Sequence, residues 1–380
     1  MPGVRVTFVI PSLTVGGAEV FLLDLVSALA ARPGMHVALV NLNRTPASVG
    51  IEARVDPRVT YVKPNRIIAR SASLLTRFLR KHAQTFRPDV INSHLYHADR
   101  IVAVCPVDVA RVFSEHGDYR GAARAQRLAT LAHADLVICA AWCNEQLLGE
   151  HDISHTQTIH YGLMRAPCEE PASANGSDAA HQHVSRCDVG LRDDQFVFCM
   201  AARGIIEKGW CAAVEAIIAL GRGEEVALLM LGQGPGVDQA RAMARDHGVD
   251  HVKFVGQVDQ VRPYMRLADA GLLPSCFVSE SYPVALLEAL YEGKPIVGTD
   301  TGGIAEMIEQ SAGAVGVLCP VLPGQPPDPD ELARCMAQLI DQYDLLCSNV
   351  VASHAYLGIE RCADEYVRAF DAVIARRASR

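Results

Sequence analysis

Two cations stand five positions apart in Arg203-Gly204-Ile205-Ile206-Glu207-Lys208-Gly209, directly after the strand-like run Phe196 to Met200. At the carboxyl end of a parallel strand such a pair can converge on a diphosphate, Arg203 as a planar fork and Lys208 as a mobile point charge; a solvated turn is the plain alternative. Two carboxylates, Glu280 and Glu288, lie in the segment Leu273 to Leu290. Pro283 suits the first turn of a helix, so the backbone of Tyr282, Pro283, Val284 and Ala285 is expected to form an anion nest, with Glu280 in the loop before it. Glu288 falls on the apolar strip of that helix, where a carboxylate needs a partner: the hydroxyl pair of a ribose or an internal cation would serve. Three glycine turns, Gly16-Gly17, Gly232-Gln233-Gly234 and Gly302-Gly303, each sit between a strand and a helix. They can bring backbone close to a ligand, or simply turn the chain.

His116, in Ser114-Glu115-His116-Gly117-Asp118, follows another strand-like run. It is either a buried structural imidazole or a hydrogen-bonding contact for a polar substrate, and its ordinary pKa near 6.5 permits modest changes of charge. Glu115 and Asp118 flank it as weaker candidates. His94 and His97 lie beyond the run Val90 to Ser93, but no acidic residue stands at a firm ligand spacing, so no metal site is expected. His94 is expected on the acceptor side of the site.

These residues need a scaffold. Short β-branched runs alternate with longer amphipathic stretches, which predicts an α/β chain of parallel sheets covered by helices on both faces. In the first half, strands are expected at Val4 to Ile10, Val37 to Asn41, Val90 to Ser93, Val109 to Ser114, Leu136 to Ala140 and Thr158 to His160, with helices at Ala18 to Ala30 and Ile67 to Phe86. The alternation lapses over 166–192, rich in Pro, Ala and Ser, which reads as a linker or surface loop. It resumes with strands at Phe196 to Met200, Ala227 to Leu231, Val252 to Val255, Ala270 to Leu273 and Ile296 to Gly298. Two domains, 1–165 and 193–355, follow from this, with a cleft expected between them and a closing helical segment at 356–380.

Composition agrees with a large folded core. The chain has 380 residues, half of them hydrophobic, which excludes disorder as the main state. Thirty-five Lys plus Arg against 43 Asp plus Glu leave a net charge of −8, which argues against nucleic acid as a partner. No run of apolar residues is long enough to predict a membrane span, and the 12 cysteines are scattered in apolar runs without a CxxC pair. A cytoplasmic location without disulfides is expected. One stretch departs from the average charge: Arg58, Lys63, Arg66, Arg70, Arg77, Arg80, Lys81 and Arg87 carry no acidic residue among them and are interleaved with apolar side chains. Such an element suits an anionic membrane surface, an anionic acceptor or plain solvent.

Taken in one frame, Arg203 and Lys208, Gly232-x-Gly234, Val252-x-Phe254-x-Gly256, Pro274-Ser275, Glu280-x7-Glu288 and Gly302-Gly303-x-x-Glu306 resemble the retaining glycosyltransferases of family 4. That resemblance implies the GT-B architecture, two Rossmann-like parallel-sheet domains facing a cleft, the first for the acceptor and the second for a sugar nucleotide. It implies transfer of a hexosyl group from a nucleoside diphosphate sugar of UDP or GDP type to a saccharide, lipid-linked or small-metabolite hydroxyl, without a metal or other cofactor. Arg203 and Lys208 would hold the diphosphate, Glu288 the ribose, Glu280 the donor sugar, and the amides around Tyr282, Val284 and Ala285 the phosphate. Gly16 and Gly17 would approach from the other domain, Gly234 and Val258 would lie near the nucleotide, and His116 near the sugar 6-hydroxyl. The closing helix would cross back to the first domain. A GT-B fold sugar-nucleotide epimerase and a non-catalytic sugar-nucleotide binding protein share these donor-site features.

Overall fold

The computed structural model describes residues 3–117, 124–164 and 184–379; Asp118 and most of the expected linker lie outside them. The chain divides into two compact units, Met1–Met164 with Ile359–Arg380, and Arg165–Gly358. In the first unit seven strands form one sheet: β1 (Val4–Ile10), β2 (Met35–Asn41), β3 (Thr60–Val62), β4 (Val90–His94), β5 (Ala110–Glu115), β6 (Leu136–Cys139) and β7 (Thr156–Thr158). Their order is β3-β2-β1-β4-β5-β6-β7 and every pairing is parallel. Phe8, Val9, Leu39, Val40, Ile91, Val112 and Phe113 are fully buried, as a sheet covered on both faces requires.

The second unit repeats the plan. Its strands are β8 (Phe196–Ala201), β9 (Val226–Leu231), β10 (Val252–Gly256), β11 (Ala270–Leu273), β12 (Ile296–Thr299) and, after a small antiparallel pair β13 (Glu309–Gln310) and β14 (Gly313–Ala314), β15 (Gly316–Cys319). The sheet runs β10-β9-β8-β11-β12-β15, again parallel throughout. Both sheets therefore reverse direction of growth once, between β1 and β4 in one and between β8 and β11 in the other. Open α/β sheets take ligands at the carboxyl ends of the strands flanking such a switch.

Several elements differ from expectation. The basic helix is two helices, Arg66–Ala69 and Ala72–Phe86, because Asn65 and Ser71 each cap a new start with their side chains. β7 begins two residues before Thr158, and β3 was not expected: three residues offer too little alternation to read. Residues 184–192, the described end of the expected linker, are folded onto the second unit, where the Arg186 guanidinium donates to the carbonyls of Leu267, Arg192, Asp193 and Gln195 and pairs with Asp269. The helix Ile359–Ala378 packs in the first unit: the Tyr366 hydroxyl lies 3.1 Å from Ser114 Oγ, Phe370 meets Phe8, and Arg361 donates to the His160 and Tyr161 carbonyls.

Gly209, between Lys208 and the helix Trp210–Leu220, has φ +80°, and a Cβ there would lie 2.0 Å from the Pro274 carbonyl oxygen. This close approach holds the β8 loop against the β11 loop. Gly248 has φ +63° with open space around it. Gly209→Ala is expected to destabilise the chain by at least about 3 kcal/mol, and Gly248→Ala by about 1 kcal/mol. Urea denaturation checks this, and equal losses at the two positions would refute the contact's role.

Candidate functional site

The switch point of the second sheet gathers the residues singled out there. From the loop after β8 comes Lys208, buried at 8% exposure, and from the loop after β11 comes Glu280 at 6%. Lys208 Nζ donates to Glu280 Oε1 and Oε2 at 2.8 and 2.6 Å, and Ser275 Oγ donates to Oε2 at 2.7 Å. Withdrawing both charges from water is costly, and only paired, fully hydrogen-bonded geometry offsets it. The Phe277 ring lies under both cations, with Arg203 5.4 Å and Lys208 5.2 Å from its centroid. Arg203 itself is exposed, so its fork is available to a ligand. Its carbonyl accepts from the Trp210 indole at 3.0 Å, which ties the loop to the following helix.

The helix Val284–Tyr291 begins one residue later than expected. Pro283 is its N-cap, with extended backbone, because its carbonyl already accepts from the amides of Leu286 and Leu287. The first-turn amides of Val284 and Ala285 are the ones such a helix leaves for an anion. Tyr282 and Val284 are buried and Ala285 is half-buried. Glu288 is buried in the same helix, and its charge adds to burial in raising the Cys199 thiol of β8. Gly302, with φ +59°, lets its turn lie against the Glu280 carbonyl, where a Cβ would come within 1.9 Å. Gly234, φ +137°, caps the helix Pro235–Asp246, and Val258 is half-buried in the loop after β10. The sequence assigns no role to Phe277, and none to Ser275 beyond its place in the Pro274-Ser275 pair, although both stand in the same run as Glu280; neither residue type signals chemistry until its neighbour is known.

The switch point of the first sheet is arranged differently. Gly16 caps the helix Gly17–Ala30 in ordinary extended backbone. Glu19, whose Oε1 accepts from Thr14 Oγ1 at 2.8 Å, fills the space beside it, since a Cβ on Gly16 would meet Glu19 Oε2 at 2.5 Å. The anion at this helix start is thus the chain's own carboxylate. His94, expected to line the acceptor side, is instead fully buried, because it ends a central strand and both of its ring nitrogens are bonded inside the unit. Its Nε2 lies 3.0 Å from Asn92 Oδ1 and its Nδ1 2.9 Å from His116 Nε2, while His116 Nδ1 meets the Tyr161 hydroxyl.

The directions of these bonds follow from one end. Asn92 Nδ2 donates to the Val112 carbonyl at 3.0 Å, so Asn92 Oδ1 must accept from His94 Nε2–H. A neutral His94 then accepts at Nδ1 from His116 Nε2–H, and His116 Nδ1 accepts from Tyr161 O–H. Both rings are neutral at pH 7: burial pushes His116 down to about 4, and burial with the neighbouring His116 holds His94 well below its ordinary value. A sugar hydroxyl reaching His116 would have to replace Tyr161 or His94 as its partner. Glu115 is buried beside the chain, and burial followed by the charge of Glu115 raises Asp99 well above the usual carboxylate range. Among the described residues no group of three His, Cys, Asp or Glu side chains could hold a metal ion, and eleven cysteines are free thiols.

A histidine whose folded-state proton affinity is lowered stabilises the fold above its unfolded value and loses that contribution as pH falls through the folded one. His116 should contribute roughly 3 kcal/mol at pH 7, lost between about 6.5 and 4. Imidazole NMR checks this: the His116 ring should remain neutral at pH 5.5, and a midpoint near 6.5 would refute it.

Residues 183–349 match the family described as glycosyl transferases group 1, and residues 15–162 match glycosyltransferase family 4. The N-acetyl-alpha-D-glucosaminyl L-malate synthase of Bacillus anthracis is 38% identical over 95 residues, 25% of this chain and 24% of that protein, so the chain spans about a quarter of its length. The lipopolysaccharide core biosynthesis glycosyltransferase LpsE of Rhizobium meliloti is 26% identical over 291 residues, 76% of this chain and 77% of that protein. Anabaena HepE, solved in complex with UDP and glucose, shares the fold with a TM-score of 0.74 at 17% identity, covering 97% of this chain and 100% of that one. With two parallel Rossmann-like sheets and a glycosyltransferase match in each half, the chain belongs to the superfamily of glycosyltransferases with the GT-B fold.

Proposed function

We propose that this chain is a retaining, family 4 type glycosyltransferase that moves a hexosyl group from a UDP or GDP sugar to a hydroxyl of a saccharide, a lipid-linked acceptor or a small metabolite. The observation that carries the reading is the meeting of Arg203, Lys208, Glu280 and the Val284 helix start at one sheet switch point. Breaking the bond from the anomeric carbon to the phosphate oxygen sends its electron pair to the departing diphosphate and leaves positive charge on the sugar ring. Arg203 and the first-turn amides would meet the new negative charge, while Lys208, pinned by Glu280 at a fixed position, adds a preorganised cation. Glu280 would hold the donor sugar with whichever oxygen Lys208 and Ser275 leave to it, and Glu288 the ribose. No carboxylate is placed here as a nucleophile. The acceptor oxygen would attack from the leaving-group side and pass its proton to the diphosphate, so that one bond forms as one breaks and configuration is kept.

Arg203→Ala and Lys208→Ala should each lower turnover with a UDP or GDP sugar by about 100-fold or more. Lys208→Ala should also lower stability, because it strands a buried carboxylate. Full turnover and donor affinity in both variants would sink the reading.

We propose further that the protein is cytoplasmic and that its first unit meets the inner, anionic face of a membrane. Arg58 and Lys63 are already ion-paired with Asp56 and Glu52, but Arg70, Arg77, Arg80 and Lys81 are exposed. Ile67 and Leu74 beside them are 76% and 40% exposed. Cations flanking exposed apolar side chains fit a headgroup layer, to which each basic residue contributes about 1 kcal/mol. The triple variant Arg77→Ala, Arg80→Ala, Lys81→Ala should lose roughly 100-fold in binding to phosphatidylglycerol vesicles at low salt. Wild-type protein that fails to co-sediment with such vesicles would dispose of the membrane role.

A further inference from the structure

Asn92 is a fully buried amide in the middle of β4, the central strand of the first sheet. Such a group costs stability unless its donors and its oxygen are all used. Nδ2 donates to the Val112 carbonyl and to Ser114 Oγ, both at 3.0 Å, and Oδ1 faces His94 Nε2, also at 3.0 Å. Val112 is the register partner of Asn92 on β5, and a backbone carbonyl can only accept, so the amide has one allowed orientation. Turned over, it would set oxygen against oxygen. The network runs on at both ends: Ser114 Oγ lies 3.1 Å from the Tyr366 hydroxyl, and His94 leads through His116 to Tyr161.

Phenyl rings close around these bonds. Phe8 and Phe21 stand 5.9 and 6.5 Å from the His94 ring centroid, and Phe21 also meets His116 at 6.4 Å and stacks on Tyr161 at 4.1 Å. They offer no conventional hydrogen bond, so an imidazole that turned would lose one. The amide is therefore the fixed end of the chain. It holds His94 with the proton on Nε2, and His94 Nδ1 in turn keeps the His116 proton on that ring's Nε2. Nδ1 of His116 is left as an acceptor only. His94 is fully buried and held from behind, whereas His116 is half-buried, so the partner open to exchange is Tyr161 and the exchange takes place at Nδ1.

We propose that Asn92 is a positioning residue: acting through His94 it fixes the His116 tautomer, so that His116 takes at Nδ1, in place of Tyr161, a substrate hydroxyl that donates. A group that can only accept, such as an ether oxygen, is refused there. That the hydroxyl belongs to a glycosyl substrate rests on the transferase reading; the tautomers do not. The test reads the imidazole nitrogens by nitrogen NMR in the full chain at pH 7, with the two rings assigned by comparison with His94→Gln and His116→Gln. Both wild-type rings should carry the proton on Nε2. Asn92→Leu, of similar volume, removes the fixed acceptor, and His116 should then show a second form protonated on Nδ1. Asn92→Asp, kept protonated by burial, retains an oxygen toward His94 and a donor toward Val112, and should hold the wild-type form. Turnover of a UDP or GDP sugar should fall at least about tenfold in Asn92→Leu and recover in Asn92→Asp. UDP and GDP affinities should stay within about twofold of wild type in both. A wild-type His116 protonated on Nδ1 overturns the proposal without any variant. So does a single unchanged tautomer in Asn92→Leu, or turnover that survives the change of tautomer. Wild-type protein that binds neither UDP nor GDP, with the tautomers as assigned, would instead remove the transferase reading and leave Asn92 as the residue that sets the two rings.

Discussion

A buried ammonium and a buried carboxylate, Lys208 and Glu280, form the constraint around which the second unit is arranged. Neither could remain in a site this dry without the other, and Ser275 completes the coordination. Their pairing fixes the β11 loop against the β8 loop, which in turn sets the Phe277 ring under Arg203 and leads the chain into the Val284 helix. The exposed Arg203 is then the flexible partner and Lys208 the rigid one. The proposed diphosphate donor would gain from that division, because one cation needs no reorganisation and the other can follow the ligand.

The two units apply one topology to different ends. In the second, the switch point is lined by cations and a helix start whose first amides point out of the helix. In the first, the equivalent helix start is already faced by Glu19, and the central strands end in a chain of neutral hydrogen bonds from Tyr161 to Asn92. Uncharged histidines held this way keep their ring orientation without bringing a net charge into the core. The positive charge of this unit lies instead along the helix Ala72–Phe86.

Much of this was legible in the chain itself. The strands Phe196–Ala201 and Ala270–Leu273 are short and wholly apolar, so Arg203 and Lys208 stand out as charged residues in the loop after one, and Glu280 as the first charged residue after the other. The carboxylate that meets Lys208 was not legible, since 72 positions separate the two and only the pairing of β8 with β11 brings them together. The same holds for His94, where a polar residue at a strand end looks like a ligand until the neighbouring strand supplies His116. Tyr161 left no periodic signal, because β7 is a brief edge strand and the residues after it follow no pattern. The basic run was visible, but its split at Ser71 depended on a cap that competes with an otherwise continuous helical period.

The helix Ile359–Ala378 carries one more consequence. Phe370 and Tyr366 are core residues of a sheet whose first strand is Val4–Ile10, so the hydrophobic layer of the first unit lacks a side until residues 359–378 have been made. The second unit is continuous in sequence and has no such dependence, whereas Phe8 and Phe21 in the first are covered by Phe370 and Tyr366 of this helix. The helix Ile359–Ala378 thus closes a sheet whose strands all precede the second unit in sequence.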